Sequence, residues 1–191
     1  PLEPLKPLEL SDLRVMLAAC QPRTFTGDRD RAMLLFLVDT GVRQGELADL
    51  RVGDIELSSG SVLVRRGKGR KPRTVFIGAK TRRSLMAYLR HRPVIEEGQP
   101  LWLTYTGDKL TKNGIREVVR RRAAQAGIPM PGLHSFRRAF AINSLRNGMD
   151  LVSLQRLLGH TSLQIINRYL YFVDDDLKRA HEEFGVVDRI L

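Results

Sequence analysis

Four separated segments of the sequence carry arginine, lysine and histidine side chains that helix or strand patterns do not explain. They are TGVRQGEL at residues 40–47, RRGKGRKPR at 65–73, LHSFRR at 133–138 and LLGH at 157–160, which is followed by Tyr169. Guanidinium groups bind phosphate oxygens through two parallel N–H donors and keep their charge near neutral pH. Combined with a nucleophilic hydroxyl, such groups indicate chemistry at a phosphodiester.

The spacing inside these segments supports that interpretation. Glu46 lies three residues after Arg43, which is close enough for its carboxylate to hold the guanidinium in place. His134 and Arg137 are also three residues apart, so they share one face of a helix. Each feature alone is equally typical of a surface arginine, a capping histidine or a core tyrosine. The order of the segments along the chain is what favours a common site.

That order resembles the active-site series of the tyrosine recombinases and phage-type integrases. GVRQGEL at 41–47 is similar to the first-arginine box of this family, and GKG at 67–69 is similar to its β-hairpin lysine. Arg137 and His160 stand 23 positions apart, as in Xer-like members. One position departs from the pattern, because Arg138 stands where many members have a histidine.

The resemblance implies the catalytic-domain fold of the family and a set of site residues. The six catalytic side chains are Arg43, Lys68, His134, Arg137, His160 and Tyr169, and Glu46 is a supporting residue beside Arg43. By the family analogy, Lys68 protonates the leaving 5′-oxygen as general acid, and Lys71 on the same loop is a less favoured alternative. Tyr171 is the competing nucleophile, but the interval from His160 favours Tyr169.

The two arginines and two histidines have distinct expected roles. Arg43 and Arg137 stabilise the charge that builds on the phosphate oxygens. His134 accepts or relays the tyrosine proton, while His160 donates a hydrogen bond to a phosphate oxygen. Because the bond energy is kept in the phosphotyrosine, no ATP or other cofactor is expected. The sequence contains no P-loop motif, and the acids at 174–176 are interpreted as a helix cap rather than a metal site.

The implied function is that of a site-specific recombinase or integrase, typical of mobile elements, that cleaves and rejoins DNA through a 3′-phosphotyrosine. Two alternatives remain open. A type IB topoisomerase-like enzyme or telomere resolvase shares the site chemistry but acts on supercoils or hairpin ends. A non-catalytic DNA-binding protein on the same fold would have no need of Tyr169.

Composition points to a polyanionic partner. Lys and Arg number 32 against 21 acids in 191 residues, a net charge of +11, which favours double-stranded DNA. With one cysteine, Cys20, and no apolar run of membrane-spanning length, a cytoplasmic, nucleoid-associated protein is expected. The candidates for phosphate contacts are Arg65, Arg66, Arg70, Lys71 and Arg73 on the loop, and Lys112, Arg116, Arg120, Arg121 and Arg122 on a helix.

The chain is expected to divide into three parts. The proline-rich residues 1–10 are interpreted as the remnant of a linker to a missing N-terminal core-binding domain. Residues 11–173 form the catalytic domain. Residues 174–191 form a terminal helix that the resemblance associates with docking on a neighbouring protomer in a tetramer on DNA.

Periodicity predicts a mainly helical (α+β) fold with one small antiparallel sheet. Strands are predicted near 53–57, 61–66 and 73–77. Helices are predicted at 12–20, 30–40, 44–50, 80–91, 111–126, 134–147, 150–158, 162–171 and 174–183.

Overall fold

The computed structural model describes residues 6–65, 71–159, 181–183, 185 and 187. Within these ranges the chain is mainly helical with one three-stranded antiparallel sheet, which confirms the predicted fold class. The helices are α1 (Leu10–Ala18), α2 (Phe25–Thr40), α3 (Gln44–Asp49), α4 (Ala79–Leu89), α5 (Lys112–Ala126), α6 (Leu133–Arg146) and α7 (Leu151–Leu158). The strands are β1 (Ile55–Glu56), β2 (Ser61–Val64) and β3 (Arg73–Phe76).

Helix α2 is the centre of the domain and packs against both α4 and α6. The Thr24 hydroxyl caps its start by accepting a hydrogen bond from the Gly27 N–H at 3.1 Å. Gly41 ends it in the left-handed conformation, with φ of 63°, as the sequence predicted. The helix begins earlier than the predicted range 30–40. The prediction missed this start because the first turn lacks an apolar stripe.

A buried ion cluster joins α2 to α5. The carboxylate of Asp30 is fully buried and accepts hydrogen bonds from Arg29 Nε at 2.8 Å and Arg122 Nε at 2.9 Å. Arg122 also donates to the Ala19 carbonyl at 3.0 Å, just after α1. Arg122, one of the predicted phosphate contacts, is only 5% exposed and neutralises a core carboxylate.

The sheet has the order β1-β2-β3, and Val62 of β2 lies opposite Val75 of β3. Both valines and Val64 are buried on the inner face, as alternation predicts. The strand predicted at 53–57 is partly wrong, because Val52–Asp54 forms a 3₁₀ turn. This turn forms because the Asp54 carboxylate accepts the Arg51 N–H at 2.9 Å.

Helices α6 and α7 share a second, smaller apolar cluster, which includes Phe140, Ile142, Leu154 and Leu158. The carboxylate of Asp150 caps α7 by accepting the Ser153 N–H at 2.9 Å. Helix α7 also packs against β3. The end of α7 is thereby placed beside both α6 and the sheet.

The segment before α1 lies against α6. Leu8 is buried, and its N–H donates to the Ser135 carbonyl at 3.0 Å. Arg138 donates to the Lys6 carbonyl at 3.3 Å. Helix α1 starts at Leu10, two residues before the predicted start.

The other predicted helices between residues 44 and 158 are present within two residues of their predicted ends. Most of the ranges 162–171 and 174–183 lies outside the described residues, although 181–183 is helical. None of the helices in the described part of the chain has the length and apolar character needed to cross a membrane.

Candidate active site

Three of the predicted catalytic side chains line one cavity. Arg43, His134 and Arg137 surround a space of about 390 Å³. Arg43 comes from the junction between α2 and α3, whereas His134 and Arg137 come from the first turns of α6. Two segments that are about 90 positions apart in the sequence therefore meet at one place.

Arg43 is the residue at which α3 begins. Its extended backbone (φ −74°, ψ 152°) presents its N–H to Glu46 Oε2 at 2.8 Å. The guanidinium Nη1 lies 3.4 Å from Glu46 Oε1, and the side chain remains 25% exposed. The contact expected from the three-residue spacing is thus present, and the guanidinium borders the cavity.

Arg137 is nearly buried, with 7% exposure. Its Nη1 donates to the Gly41 carbonyl at 2.7 Å, and its Nη2 donates to the Leu158 carbonyl at 2.6 Å. These carbonyls belong to the ends of α2 and α7, where helices leave acceptors without intrahelical partners. The guanidinium therefore fixes both helix ends around the cavity.

His134 lies in the first turn of α6 and is exposed. Three residues later on the same face stands Arg137, as the spacing predicted. Ser135 faces inward and its hydroxyl donates to the Gly132 carbonyl. In this turn of α6, the His134 imidazole therefore lies at the cavity rim, while the buried Ser135 bonds to the backbone of the preceding loop.

Glu46 is the electrostatic centre of the site. Its two carboxylate oxygens accept hydrogen bonds from Arg73 Nη1 at 2.8 Å and Nη2 at 2.9 Å, in addition to those from Arg43. Burial by itself raises the pKa of Glu46, but the hydrogen bonds from Arg73 and the Arg43 amide and the two positive charges outweigh burial. The result is a pKa of about 2, so Glu46 stays ionised at neutral pH.

This pKa predicts how stability depends on pH. A carboxyl group with a lowered folded pKa stabilises the fold above its unfolded pKa, and this contribution is lost as pH falls through the folded value. Between the ordinary value of 4.5 and the folded value of about 2, the contribution amounts to about 3 kcal/mol. Urea unfolding should give a stability difference between wild type and Glu46→Gln that is constant above pH 4.5 and shrinks below it. A difference that persists to pH 2 would contradict the assigned ion pairs.

Further basic residues continue from this site. Arg116 lines the first cavity. Arg65 and Lys112 line an adjoining cavity of about 430 Å³, which shares Arg43 and His134 with the first. Arg65 Nε donates to the buried Asp54 at 2.6 Å, yet its side chain is 55% exposed. The adjoining cavity is thus lined by three cations and also by the carboxylates of Glu46, Asp49 and Asp54.

The other predicted phosphate contacts are placed differently from one another. Lys71 is exposed. Arg120 is exposed but pairs with Glu117, its Nε lying 2.9 Å from the carboxylate. Arg121 donates to Asp30 at 3.2 Å. Arg73 has an 11% exposed side chain whose donors face Glu46 and Leu157.

The remaining predicted site residues lie outside the described residues: Arg66, Lys68, Arg70, His160, Tyr169 and the alternative nucleophile Tyr171. For His160, Tyr169 and Tyr171, the last described residue before them is Gly159, directly after α7. Among the residues that the structure describes, no group of three or more His, Cys, Asp or Glu side chains could hold a metal ion.

Sequence reasoning missed two features of the site. The first is the pairing of Arg73 with Glu46, which are 27 positions apart. The second is the loop at 130–132, which lines the cavity opposite Arg43. Neither carries a local signal, because the partners are brought together only by the packing of α3, β3, α6 and α7.

Comparison with known proteins agrees with this geometry. Residues 6–174 match the phage integrase family. The chain is 34% identical over 179 residues to the tyrosine recombinase XerC 2 of Ralstonia nicotianae, covering 92% of this chain and 52% of that protein. The crystal structure of XerA recombinase superposes with a TM-score of 0.77 at 26% identity, covering 94% of this chain and 63% of the other. XerH bound to a palindromic difH substrate superposes with a TM-score of 0.74 at 27% identity, covering 97% and 54%.

The chain spans between 52% and 62% of the length of the first three curated relatives that it matches. The family match nevertheless covers most of the chain, and the observed fold is the one that the sequence motifs predicted. This protein therefore belongs to the phage integrase family, whose members are the tyrosine recombinases.

Proposed function

We propose that the chain is the catalytic part of a site-specific DNA recombinase that cleaves and rejoins strands through a 3′-phosphotyrosine at Tyr169. The observation that carries this proposal is the convergence of Arg43, Arg137 and His134 on one cavity. Two arginines around one cavity, with an imidazole at its rim, are suited to a phosphodiester and not to an apolar ligand. The recombinase relatives supply the reaction class.

The arginines supply the electrostatic part of the mechanism. Negative charge builds on the nonbridging phosphate oxygens as the nucleophile approaches phosphorus. Arg43, which borders the cavity, is the residue we assign to those oxygens. Arg137 adds a second positive charge and keeps the helix ends in place. Preorganised donors of this kind typically contribute about 10²- to 10³-fold in rate each.

The covalent step exchanges one phosphodiester for another. The Tyr169 oxygen forms a bond to phosphorus and the bond from phosphorus to the 5′-oxygen breaks. The tyrosine proton, bound with an ordinary pKa of about 10, passes to His134. Lys68 gives a proton to the 5′-oxygen, and His160 orients a phosphate oxygen. Attack by a 5′-hydroxyl of another strand reverses these steps and releases Tyr169, so no nucleotide cofactor is consumed.

Double-stranded DNA is the proposed partner. The exposed cations that line the two cavities are Arg65, Lys112 and Arg116, Lys71 is exposed two residues before β3, and the net charge is +11. Phosphate contacts give affinity without sequence information. Because the chain spans about half of its relatives' length, we further propose that an N-terminal DNA-binding domain contributes the remaining contacts with DNA. The working form would be a tetramer on DNA in the cytoplasm, joined through residues 174–191.

A covalent-trapping experiment tests the function. Duplexes that the chain selects from a random-sequence pool are nicked close to the cleavage point, so that the released fragment diffuses away. Wild type and Tyr171→Phe should accumulate a DNA adduct that survives denaturation, whereas Tyr169→Phe should form none. Equal adduct formation by Tyr169→Phe would refute the nucleophile. Specific binding without any adduct from wild type would favour a non-catalytic DNA-binding protein.

A further inference from the structure

Arg73 joins the sheet to two other parts of the site. It is the first residue of β3, and its guanidinium uses all three nitrogens. Nη1 and Nη2 bind the two oxygens of Glu46, and Nε donates to the Leu157 carbonyl at 2.6 Å. Parallel binding of a carboxylate is the strongest arrangement that an arginine side chain makes. Arg73 therefore clamps the start of β3 to α3 and to the end of α7.

These contacts, together with those of Arg137, join several elements of the site to one another. From α7, Arg73 binds the Leu157 carbonyl and Arg137 binds the adjacent Leu158 carbonyl. On the other side, Arg137 binds the Gly41 carbonyl, two residues before Arg43. Gly159 lies against Arg73 as well, since an added Cβ there would stand 3.4 Å from its guanidinium. The two arginines thus form one frame: both bind the end of α7, and Arg73 joins it to α3 while Arg137 joins it to the end of α2.

Within this frame, Arg73 and Arg43 share the same carboxylate unequally. Glu46 lies 2.8 Å and 2.9 Å from the nitrogens of Arg73, but 3.4 Å from that of Arg43. Coulomb attraction and hydrogen bonding both weaken with distance. Glu46 therefore binds Arg73 more closely than Arg43, and Arg43, whose side chain is 25% exposed, keeps more of its positive field for the cavity than Arg73 does.

We propose that Arg73 is a positioning residue that holds the Glu46 carboxylate away from the Arg43 guanidinium. The inference rests on the proposed strand-cleavage function. Arg73 itself contacts no DNA phosphate, because its donors face inward. Without it, the Glu46 carboxylate, which already lies 3.4 Å from Arg43 Nη1, pairs more closely with this guanidinium and withdraws it from the scissile phosphate.

Strand cleavage under single-turnover conditions, on the selected nicked duplex, tests this role. At saturating DNA, Arg73→Ala should cleave about 10- to 100-fold more slowly, the range seen when groups that orient metal ligands are removed. Its DNA affinity should change much less than its cleavage rate, because the exposed cations Arg65, Lys112 and Arg116 are unaltered. A slope of affinity against salt that is reduced by about one, with unchanged cleavage at saturation, would instead identify Arg73 as a phosphate contact and overturn the proposal.

A second substitution separates positioning from simple stabilisation. If Glu46 captures Arg43 in Arg73→Ala, then adding Glu46→Gln removes the capturing charge. The double variant should therefore cleave several-fold faster than Arg73→Ala alone. A merely structural role predicts that the second loss slows cleavage further, and that result would overturn the proposal.

Arg122→Ala provides the matched control. Arg122 also binds a buried carboxylate and a backbone carbonyl, but it lies at the α2–α5 contact away from the cavity. It should lower the melting temperature and leave the cleavage rate at saturation close to wild type. Where Arg73→Ala does not fold, Arg73→Lys, which keeps the charge but loses the parallel pair, replaces it in every comparison.

Arginine side-chain NMR of the DNA-free chain gives a readout independent of cleavage. The Arg43 guanidinium signals should shift in Arg73→Ala, as expected for a closer ion pair with Glu46, and should revert in Arg73→Ala/Glu46→Gln. Unshifted Arg43 signals would overturn the proposal even if wild type cleaves DNA normally. A wild type that forms no covalent adduct, but shows the predicted shifts, would refute the proposed function and leave the positioning intact.

Discussion

Arg137→Ala should lose both strand cleavage and a large part of the stability of the fold. The buried carbonyls of Gly41 and Leu158 both lose their donor. An unsatisfied buried acceptor costs about 1–3 kcal/mol, so the free energy of unfolding should fall by about 2–5 kcal/mol. Covalent adduct formation should fall by at least about 10²-fold, the usual effect of losing one group that stabilises the charge of the transition state.

Urea unfolding and single-turnover trapping measure these two effects. Arg138→Ala is the control, because this neighbouring guanidinium makes a single long contact with the Lys6 carbonyl at 3.3 Å on the surface. Its stability should change by less than about 1 kcal/mol. An Arg137→Ala protein as stable as wild type would show that the guanidinium does not carry the two helix ends.

Gly41→Ala should be the most damaging single-methyl substitution near the site. Gly41 has φ of 63°, a conformation that costs an alanine about 1 kcal/mol. An added Cβ would also lie 2.5 Å from the Phe140 ring and 3.0 Å from Leu158 Cδ2. Overpacking of this kind costs about 1–3 kcal/mol more. We expect a total loss of about 2–4 kcal/mol in unfolding free energy, with slower adduct formation because the Arg137 acceptor at residue 41 shifts.

Gly127→Ala isolates the backbone part of that effect. Gly127 ends α5 with φ of 71°, but nothing lies within 4 Å of the position a Cβ would occupy. It should lose only about 1 kcal/mol and cleave normally. Equal losses at the two glycines would mean that the contact of Gly41 with Phe140 is unimportant, and that backbone strain accounts for both.

The two substitutions together describe how the cavity is built. Gly41 allows α2 to end against α6 and α7 without a side chain between them. Arg137 then occupies the space among the three helices and satisfies their terminal acceptors. A positive charge buried in this way needs close partners, and the two carbonyls supply them. The same guanidinium thereby supports the fold and contributes positive charge to the site.

Much of this arrangement could be predicted from local spacing. Arg43 and Glu46 stand three positions apart, as do His134 and Arg137. Side chains at this spacing in a helix are neighbours whatever the rest of the chain does. Gly41 and Gly127 mark helix ends because they adopt left-handed conformations at little steric cost. The buried valines of β2 and β3 follow from alternation alone.

The start of α2 and the first strand were predicted less well. The first two turns of α2 contain Gly27, Arg29 and Asp30, which form no apolar stripe but are buried in the structure. Their burial depends on Arg122, which is 92 positions away from Asp30. The 3₁₀ turn at Val52–Asp54 similarly depends on a side chain that caps its own backbone, a choice that strand propensity does not report.

The sequence by itself determined the family, the fold class and the local pairs, because these depend on residue types at short spacing and on the order of motifs. Only the tertiary structure decided which arginines face the cavity and which neutralise carboxylates. Arg43, Arg73 and Arg122 are chemically identical, and burial and the partners that packing brings within 3 Å give them different roles. Long-range contacts such as Arg73 with Glu46 and Arg137 with Gly41 depend on how helices and strands meet, which no short stretch of sequence encodes.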